Sequence, residues 1–225
     1  MRFMIGLLII LGFMVKANAQ GIYIDHVIKV VNNLDSAVQY YKEEGFTIKP
    51  GRLHANGLLN AHIKFSNGSS LELMSLVGEP KDQLAQTYKN ILSEGEGGAF
   101  VCLSGIDIDK LKNLLNKKGY DFIISKGKAW SYISFPENTV LRSFFFIDYH
   151  YEMKKEPEMY KHSNGCNGFK SVYVHGNDSV CQFMSDIGLL QINTNNSEFK
   201  TSTGNIIIGK DGDPADRVSN IVLKK

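Results

Sequence analysis

Cysteine is scarce in this chain: three in 225 residues, Cys102, Cys166 and Cys181. They are too few and too scattered for a disulfide scaffold or a zinc knuckle. Cys102 lies in a Phe-Val-Cys-Leu run and reads as a buried thiol acting as a small hydrophobe. Cys166 and Cys181 either stay free or pair, which would close a loop of ~15 residues and contribute about 3 kcal/mol. Spacing alone does not decide between the two. An excess of one charge is missing as well. The chain has 25 Lys and Arg against 23 Asp and Glu, and setting aside Arg2 and Lys16 of the N-terminal segment leaves 23 against 23. With no Lys/Arg cluster, the electrostatic footprint of a nucleic-acid binder is absent. Past residue 20 no apolar run approaches the ~20 residues that cross a bilayer. A soluble globular chain is expected, binding neither nucleic acid nor membrane once its leader is removed.

That leader is residues 1–19. Arg2 gives a minimal basic start, residues 3–15 are apolar or glycine without a break, and Ala17-Asn18-Ala19 is the small-x-small pattern read by a signal peptidase. A retained anchor would need a longer run, and Lys16 interrupts this one. The mature chain is therefore expected to start at Gln20 and to be exported, periplasmic or secreted.

From Gly21 a regular order begins. Ile22, Ile24, His26, Ile28 and Val30 alternate with Tyr23, Asp25, Val27, Lys29 and Val31, the period of two of a β-strand. Asn32-Asn33 breaks it, and Leu34, Val38 and Tyr41 then recur at helical spacing, with Gly45 as the cap. A short strand over 46–49 precedes Pro50-Gly51, and strands over 61–65 and 70–75 flank the hairpin signal Ser66-Asn67-Gly68. The unit is β-α-β-β-β. A second copy has strand 99–103, helix 107–118, Gly119, and strands 120–125, 131–135 and 143–149. A shortened third has strand 169–174, helix 178–187, Gly188, and strands 190–193, 205–208 and 220–223. Repetition of one supersecondary unit implies sheets buried against one another. The expected organisation is a signal peptide (1–19), paired modules (20–151), a linker (152–168) and a shortened third module (169–225). The expected fold is α+β: a curved, mostly antiparallel sheet around a pocket.

Specific words narrow this pattern. Ile24-Asp25-His26-Val27, the Gly51-Arg52-Leu53-His54 loop with Gly57 and Asn60, Ser70-Leu71-Glu72-Leu73, the strand 141–148 and His162-Ser163-Asn164-Gly165 occur in that order. Together they resemble the glyoxalase-like domain family of the vicinal oxygen chelate superfamily, which includes glyoxalases, bleomycin-resistance proteins and extradiol dioxygenases. The resemblance covers roughly residues 22–175, and the third unit matches only in pattern. Leu59 departs from the family's usual threonine, Ser143 and Ser163 from prolines, and Asp148 from a glutamate.

The resemblance implies a divalent metal (zinc, manganese or iron) inside the sheet, with ligands on the first and last strands of each module. Carried over, these are His26, Glu72 and Asp148. The second module's first-strand position falls on Phe100, which cannot ligate, and the third's on Phe169. One histidine with two carboxylates would leave open positions for water or substrate. The residues themselves leave alternatives: His26 as a hydrogen-bonded core histidine paired with Glu72, or Glu72 as a metal-free general base. His54, Asn60 and His62 form a second group suited to a carbonyl or carboxylate ligand, unless Asn60 only fixes its own turn. Trp130 and Arg142 could close over a substrate with one apolar and one anionic end, or Trp130 could simply pack. His162 is expected to order the turn into the third copy.

Two functions follow. One is a metal-dependent lyase, isomerase or dioxygenase-like enzyme on a small oxygenated molecule, with catalytic Glu72. The other is a non-catalytic small-molecule binding or sequestering protein. A homodimer is compatible with either. For export, N-terminal sequencing of protein recovered from outside the cytoplasm is expected to begin at Gln20 or immediately beside it. A soluble cytoplasmic product retaining Met1 would overturn that reading.

Overall fold

A computed structural model describes residues 21–152, 156–195, 197–209 and 217–225. The segment read as a signal peptide lies outside the described residues. The first module is β1 (Tyr23–Val30), α1 (Leu34–Glu43), β2 (Lys49–Leu53), β3 (Leu58–Lys64) and β4 (Ser70–Leu76). A helix that the repeat does not contain, α2 (Gln83–Glu94), leads to the second: β5 (Gly97–Ser104), α3 (Ile108–Lys118), β6 (Ile123–Lys126), β7 (Trp130–Ser134) and β8 (Phe144–Tyr149). The third has β9 (Gly168–His175), α4 (Asp178–Asp186), β10 (Leu190–Asn193), β11 (Glu198–Lys200) and β12 (Asn205–Gly209), and β13 (Val218–Lys224) follows it.

In each module the first strand runs parallel to the last, and the two middle strands continue antiparallel from there. The modules join where β1 and β5 lie antiparallel, with His26 opposite Cys102 and Ile28 opposite Phe100. β13 pairs with β9 and touches β5, so the described strands form one 13-stranded sheet. The third module thus closes with β12, and 218–224 is an added strand bridging modules. Its three-residue strand β11 carries too little pattern to be read in advance.

Local chemistry explains the elements. Asn33, Asp82, Asp107 and Asn177 cap the four helices by accepting backbone N–H bonds. Gly45, Gly119 and Gly188 follow α1, α3 and α4 with φ of 83°, 74° and 90°, the left-handed geometry that glycine adopts without penalty. β2 runs through Pro50 rather than ending before it. It is a sheet edge, where the missing N–H of proline has no partner to lose.

Alternation splits the sheet between two cores. Val27, Leu71, Leu73, Val101, Phe144 and Phe146 face α1, α3 and α4 in one continuous core shared by all three modules. Ile28, Val30, Met74 and Phe100 face the other way, where α2 lays Ala85, Tyr88 and Ile91 across them. Phe183 of α4 packs edge-on against Tyr120 and Phe135 of the second module, at 5.2 and 5.3 Å between ring centroids. Asp186 of the same helix accepts from Tyr120 Oη at 2.9 Å and Lys118 Nζ at 2.8 Å.

Because Phe183 is fully buried in that shared core, Phe183→Ala is expected to cost about 3–5 kcal/mol. Calorimetry should show one unfolding transition, shifted down by ~6–20 °C. A second transition left at the wild-type temperature would mean that the third module folds apart from the others.

Candidate functional site

The site begins with an irregularity in β1. The β1–β5 register shifts between Ile24 and His26, so two successive side chains, Asp25 and His26, reach the same place. His26 Nδ1 lies 2.6 Å from Asp25 Oδ1, and Tyr149 Oη donates to that same oxygen at 3.2 Å. On its other side His26 Nε2 faces Glu72 Oε2 at 3.4 Å. Glu72 is fixed in turn: Asn60 Nδ2 donates to Oε1 at 2.7 Å, and Asn60 Oδ1 accepts the Arg52 N–H at 2.9 Å. Gly51 makes this possible, because a Cβ there would stand 2.0 Å from Asn60 Oδ1. His62 completes the group, with Nε2 at 3.3 Å from Asn60 Nδ2 and 3.9 Å from Glu72 Oε1.

Burial sets the charges. It pulls the His26 pKa down, but the hydrogen bond to Asp25 and the charges of Asp25 and Glu72 outweigh it, and the net pKa is raised. His62 has only Glu72 to oppose burial, and its pKa falls to about 4. The Tyr149 phenol is held well above its ordinary pKa by burial and by Asp25, and therefore stays a donor. Cys102, opposite His26, is a fully buried thiol whose pKa burial raises well above the usual range.

The alternation places the other expected residues. On β8, Phe144 and Phe146 enter the core opposite the site, whereas Phe145 packs 5.4 Å from the His26 ring and Tyr149 reaches Asp25. Asp148 shares the parity of Phe144 and Phe146, so it does not join His26 and Glu72. The expected ligand set is corrected accordingly: β8 contributes the Tyr149 phenol. Asn60 is engaged with Glu72 through Nδ2 and with the Arg52 peptide through Oδ1. His54 sits in the β2–β3 turn, and its Nε2, like His62 Nδ1, is buried without a hydrogen-bond partner among the described residues. Trp130 lies directly opposite Tyr149 on β7, 38% exposed, at the rim of the site. Arg142 precedes the other end of β8, roughly 20 Å of strand away, and lines a separate groove with Glu137, His175 and Arg217. Trp130 and Arg142 therefore cannot close over one small ligand. His162 does order the linker: Nδ1 accepts the Thr47 N–H at 3.0 Å, and Nε2 lies 2.9 Å from Lys64 O. Cys166 and Cys181 are free thiols.

Two open grooves, of about 440 and 350 Å³, lie away from this cluster and include none of its residues. Beside His26, Tyr88, Phe100 and Phe145 stack across the adjoining part of the sheet face. Phe100 and Phe145 occupy the first and last strands of the second module, apolar where the first module has His26 and Glu72.

A family model described as a glyoxalase-like domain matches residues 24–182. The chain belongs to that family. The match to the glyoxalase-like domain ends inside α4, so β10–β13 lie beyond it. Among solved structures, a hypothetical protein from Staphylococcus aureus aligns over 84% of this chain and 86% of its own, at 15% identity and a TM-score of 0.57. A hypothetical protein from Bacillus halodurans aligns over 60% and 99%, at 17% identity and a TM-score of 0.46. Methylmalonyl-CoA epimerase from Mycobacterium tuberculosis aligns over 55% and 85%, at 19% identity and a TM-score of 0.43. The likeness to the Staphylococcus aureus protein, at 15% identity, speaks to fold alone. No curated protein matches the chain.

The two histidines should titrate on opposite sides of the ordinary value of 6.5. A raised pKa means that the stability His26 contributes is full below its unfolded value and lost as pH rises through the folded one. His62 has the reverse sign, its contribution disappearing as pH falls from 6.5 toward about 4. NMR titration of chelator-treated protein, with His26→Gln and His62→Gln for assignment, is expected to give one midpoint above 6.5 and one near 4. A His26 midpoint at or below 6.5 would show that the two carboxylates do not clamp it.

Proposed function

We propose that the protein is a divalent-metal-dependent enzyme, of the lyase, isomerase or dioxygenase-like kind, acting on a small oxygenated molecule over His26 and Glu72. One observation carries the reading: Asp25 holds His26 by Nδ1 at 2.6 Å, which turns Nε2 toward Glu72 Oε2 at 3.4 Å. A carboxylate behind an imidazole is the arrangement that orients a metal-binding histidine and fixes its tautomer.

The donors fit such an ion. With bonds of about 2.0–2.2 Å, two ligands of one metal lie at most ~4.3 Å apart. His26 Nε2 with Glu72 Oε2 meets that limit; His62 Nε2 lies 3.9 Å from the other oxygen of the same carboxylate, Oε1. The low pKa of His62 leaves it neutral near pH 7, as a ligand must be. The imidazole and carboxylate donors of His26 and Glu72 suit zinc, manganese or iron(II). A cluster of Asp25, His26 and Cys102 also lies within 4.8 Å, but its Asp25–His26 contact of 2.6 Å is a hydrogen bond.

When bound, the ion would supply Lewis-acid polarisation of the substrate's oxygens. The chain's own groups do the rest. Asn60 fixes the Glu72 carboxylate, and Asp25 orients the His26 ring through Nδ1 and takes a further bond from Tyr149. The aromatic stack of Tyr88, Phe100 and Phe145 excludes water on one side, which strengthens every charge interaction beside it. Glu72 is the group placed to accept a proton from a bound carbon acid. The alternative, a binding or sequestering protein on the same scaffold, is favoured by Phe100 and Phe145 in the second module's ligand positions.

Equilibrium dialysis against zinc, manganese and iron(II), followed by elemental analysis, separates the two. Wild type is expected to take up one ion per chain, weakening as the medium is acidified and protons compete for His26. Glu72→Gln should lower the affinity at least tenfold, roughly 1.4 kcal/mol. Equal, negligible uptake by both proteins would sink the metalloenzyme reading and leave the binding protein in front.

A further inference from the structure

Lys64 ends β3 on the same face as the site. Asn60 and His62 both point into the cluster, and β3 pairs with β4 without a register shift, Lys64 lying opposite Ser70 as His62 lies opposite Glu72. Ser70 is in turn the β1 neighbour of His26. Three adjacent strands therefore bring Lys64, Ser70 and His26 to one level of the sheet, one side-chain repeat beyond Glu72.

The Lys64 ammonium makes no hydrogen bond or ion pair with any described residue. The nearby acids are already committed. Asp25 Oδ1 accepts from Tyr149 and contacts His26, Glu72 Oε1 accepts from Asn60 while Oε2 faces His26, and Glu156 pairs with Lys49. Lys64 is partly buried, so part of its hydration is lost without a replacement inside the chain. An ammonium in that position gains most from an acceptor that arrives with a ligand.

We propose that Lys64 recognises a carboxylate of the ligand, so that the site takes small oxygenated acids rather than neutral carbonyl compounds. The proposal rests on the reading above only in placing the ligand over His26 and Glu72. It narrows the substrate class from any small oxygenated molecule to one bearing a carboxylate a few bonds from the oxygens that face Glu72. The aromatic stack over the adjoining half of the face keeps such an acid short.

Calorimetric titration at fixed ionic strength tests this with oxalate, pyruvate and malonate against their neutral counterparts oxamide, hydroxyacetone and malonamide. At least one acid is expected to bind wild type tenfold or more tightly than its counterpart. Lys64→Gln should abolish that preference without changing the binding of the neutral compounds, and Lys64→Met serves if the glutamine variant does not fold. The proposal is overturned if no acid outbinds its counterpart on wild type, or if a folded neutral variant keeps the preference. Each titration is run on chelator-treated and zinc-equilibrated protein. A preference that survives chelation upholds Lys64 even where metal uptake fails. Normal zinc uptake by the Lys64 variants, with the preference gone, separates its role from the metal donors.

Discussion

Everything at the site depends on the bulge in β1 where the first two modules meet. Without the shift between Ile24 and His26, strict alternation would send Asp25 to the helix-covered face, where a carboxylate would be buried among Val27, Leu71 and Phe144 without a partner. The extra residue brings Asp25 behind His26 instead, and from there the contacts form one chain: Tyr149 to Asp25, Asp25 to His26, His26 to Glu72, Glu72 to Asn60, Asn60 to the Arg52 peptide. Five elements are tied together by these bonds. Each member satisfies the next, which is the condition for keeping charges at this depth.

Such a network is costly to interrupt and gives little freedom of arrangement. Two carboxylates flank one imidazole, all nearly buried, and Asp25 and Glu72 together stabilise charge on His26. His62 has no carboxylate bonded to it and stays neutral. The two histidines lie on the same sheet face and differ in charge because of what each one touches. The aromatic half of that face is covered by α2, so the polar residues form a strip between a helix-covered wall and β3.

Much of this was legible in the sequence. The module order could be read from the periods of two and 3.6 and the glycine after each helix, since both the strand pleat and the left-handed cap leave direct marks on residue choice. His26 and Glu72 stood out as polar residues at apolar strand positions. Asp25 did not, because a bulge shifts pairing without any signature residue, and alternation counted straight through assigns it to the wrong face. Asp148 was misplaced for a related reason. The run Phe144-Phe145-Phe146 is apolar on both faces, so it carries no phase, and the residue that reaches the site is one further along, Tyr149. Helix α2 escaped because it lies between repeats. Lys64 was in plain view, two residues beyond His62, but a lysine at a strand end reads as solvated until its neighbours are known.

The linker adds a consequence for the molecule as a whole. His162 takes the Thr47 N–H on one nitrogen and lies against the Lys64 carbonyl with the other, while Ser163 and Asn164 bond to the carbonyls of Gly45 and Glu44. The leader of the third module is thus sewn to the backbone of the residue whose side chain ends the strip. Binding and docking then act on the same few atoms. By thermodynamic reciprocity, a ligand held by Lys64 more firmly when the staple is closed must favour closure of the staple to the same degree. In that arrangement the third module, which supplies no side chain to the strip among the described residues, is tied to it through a peptide carbonyl.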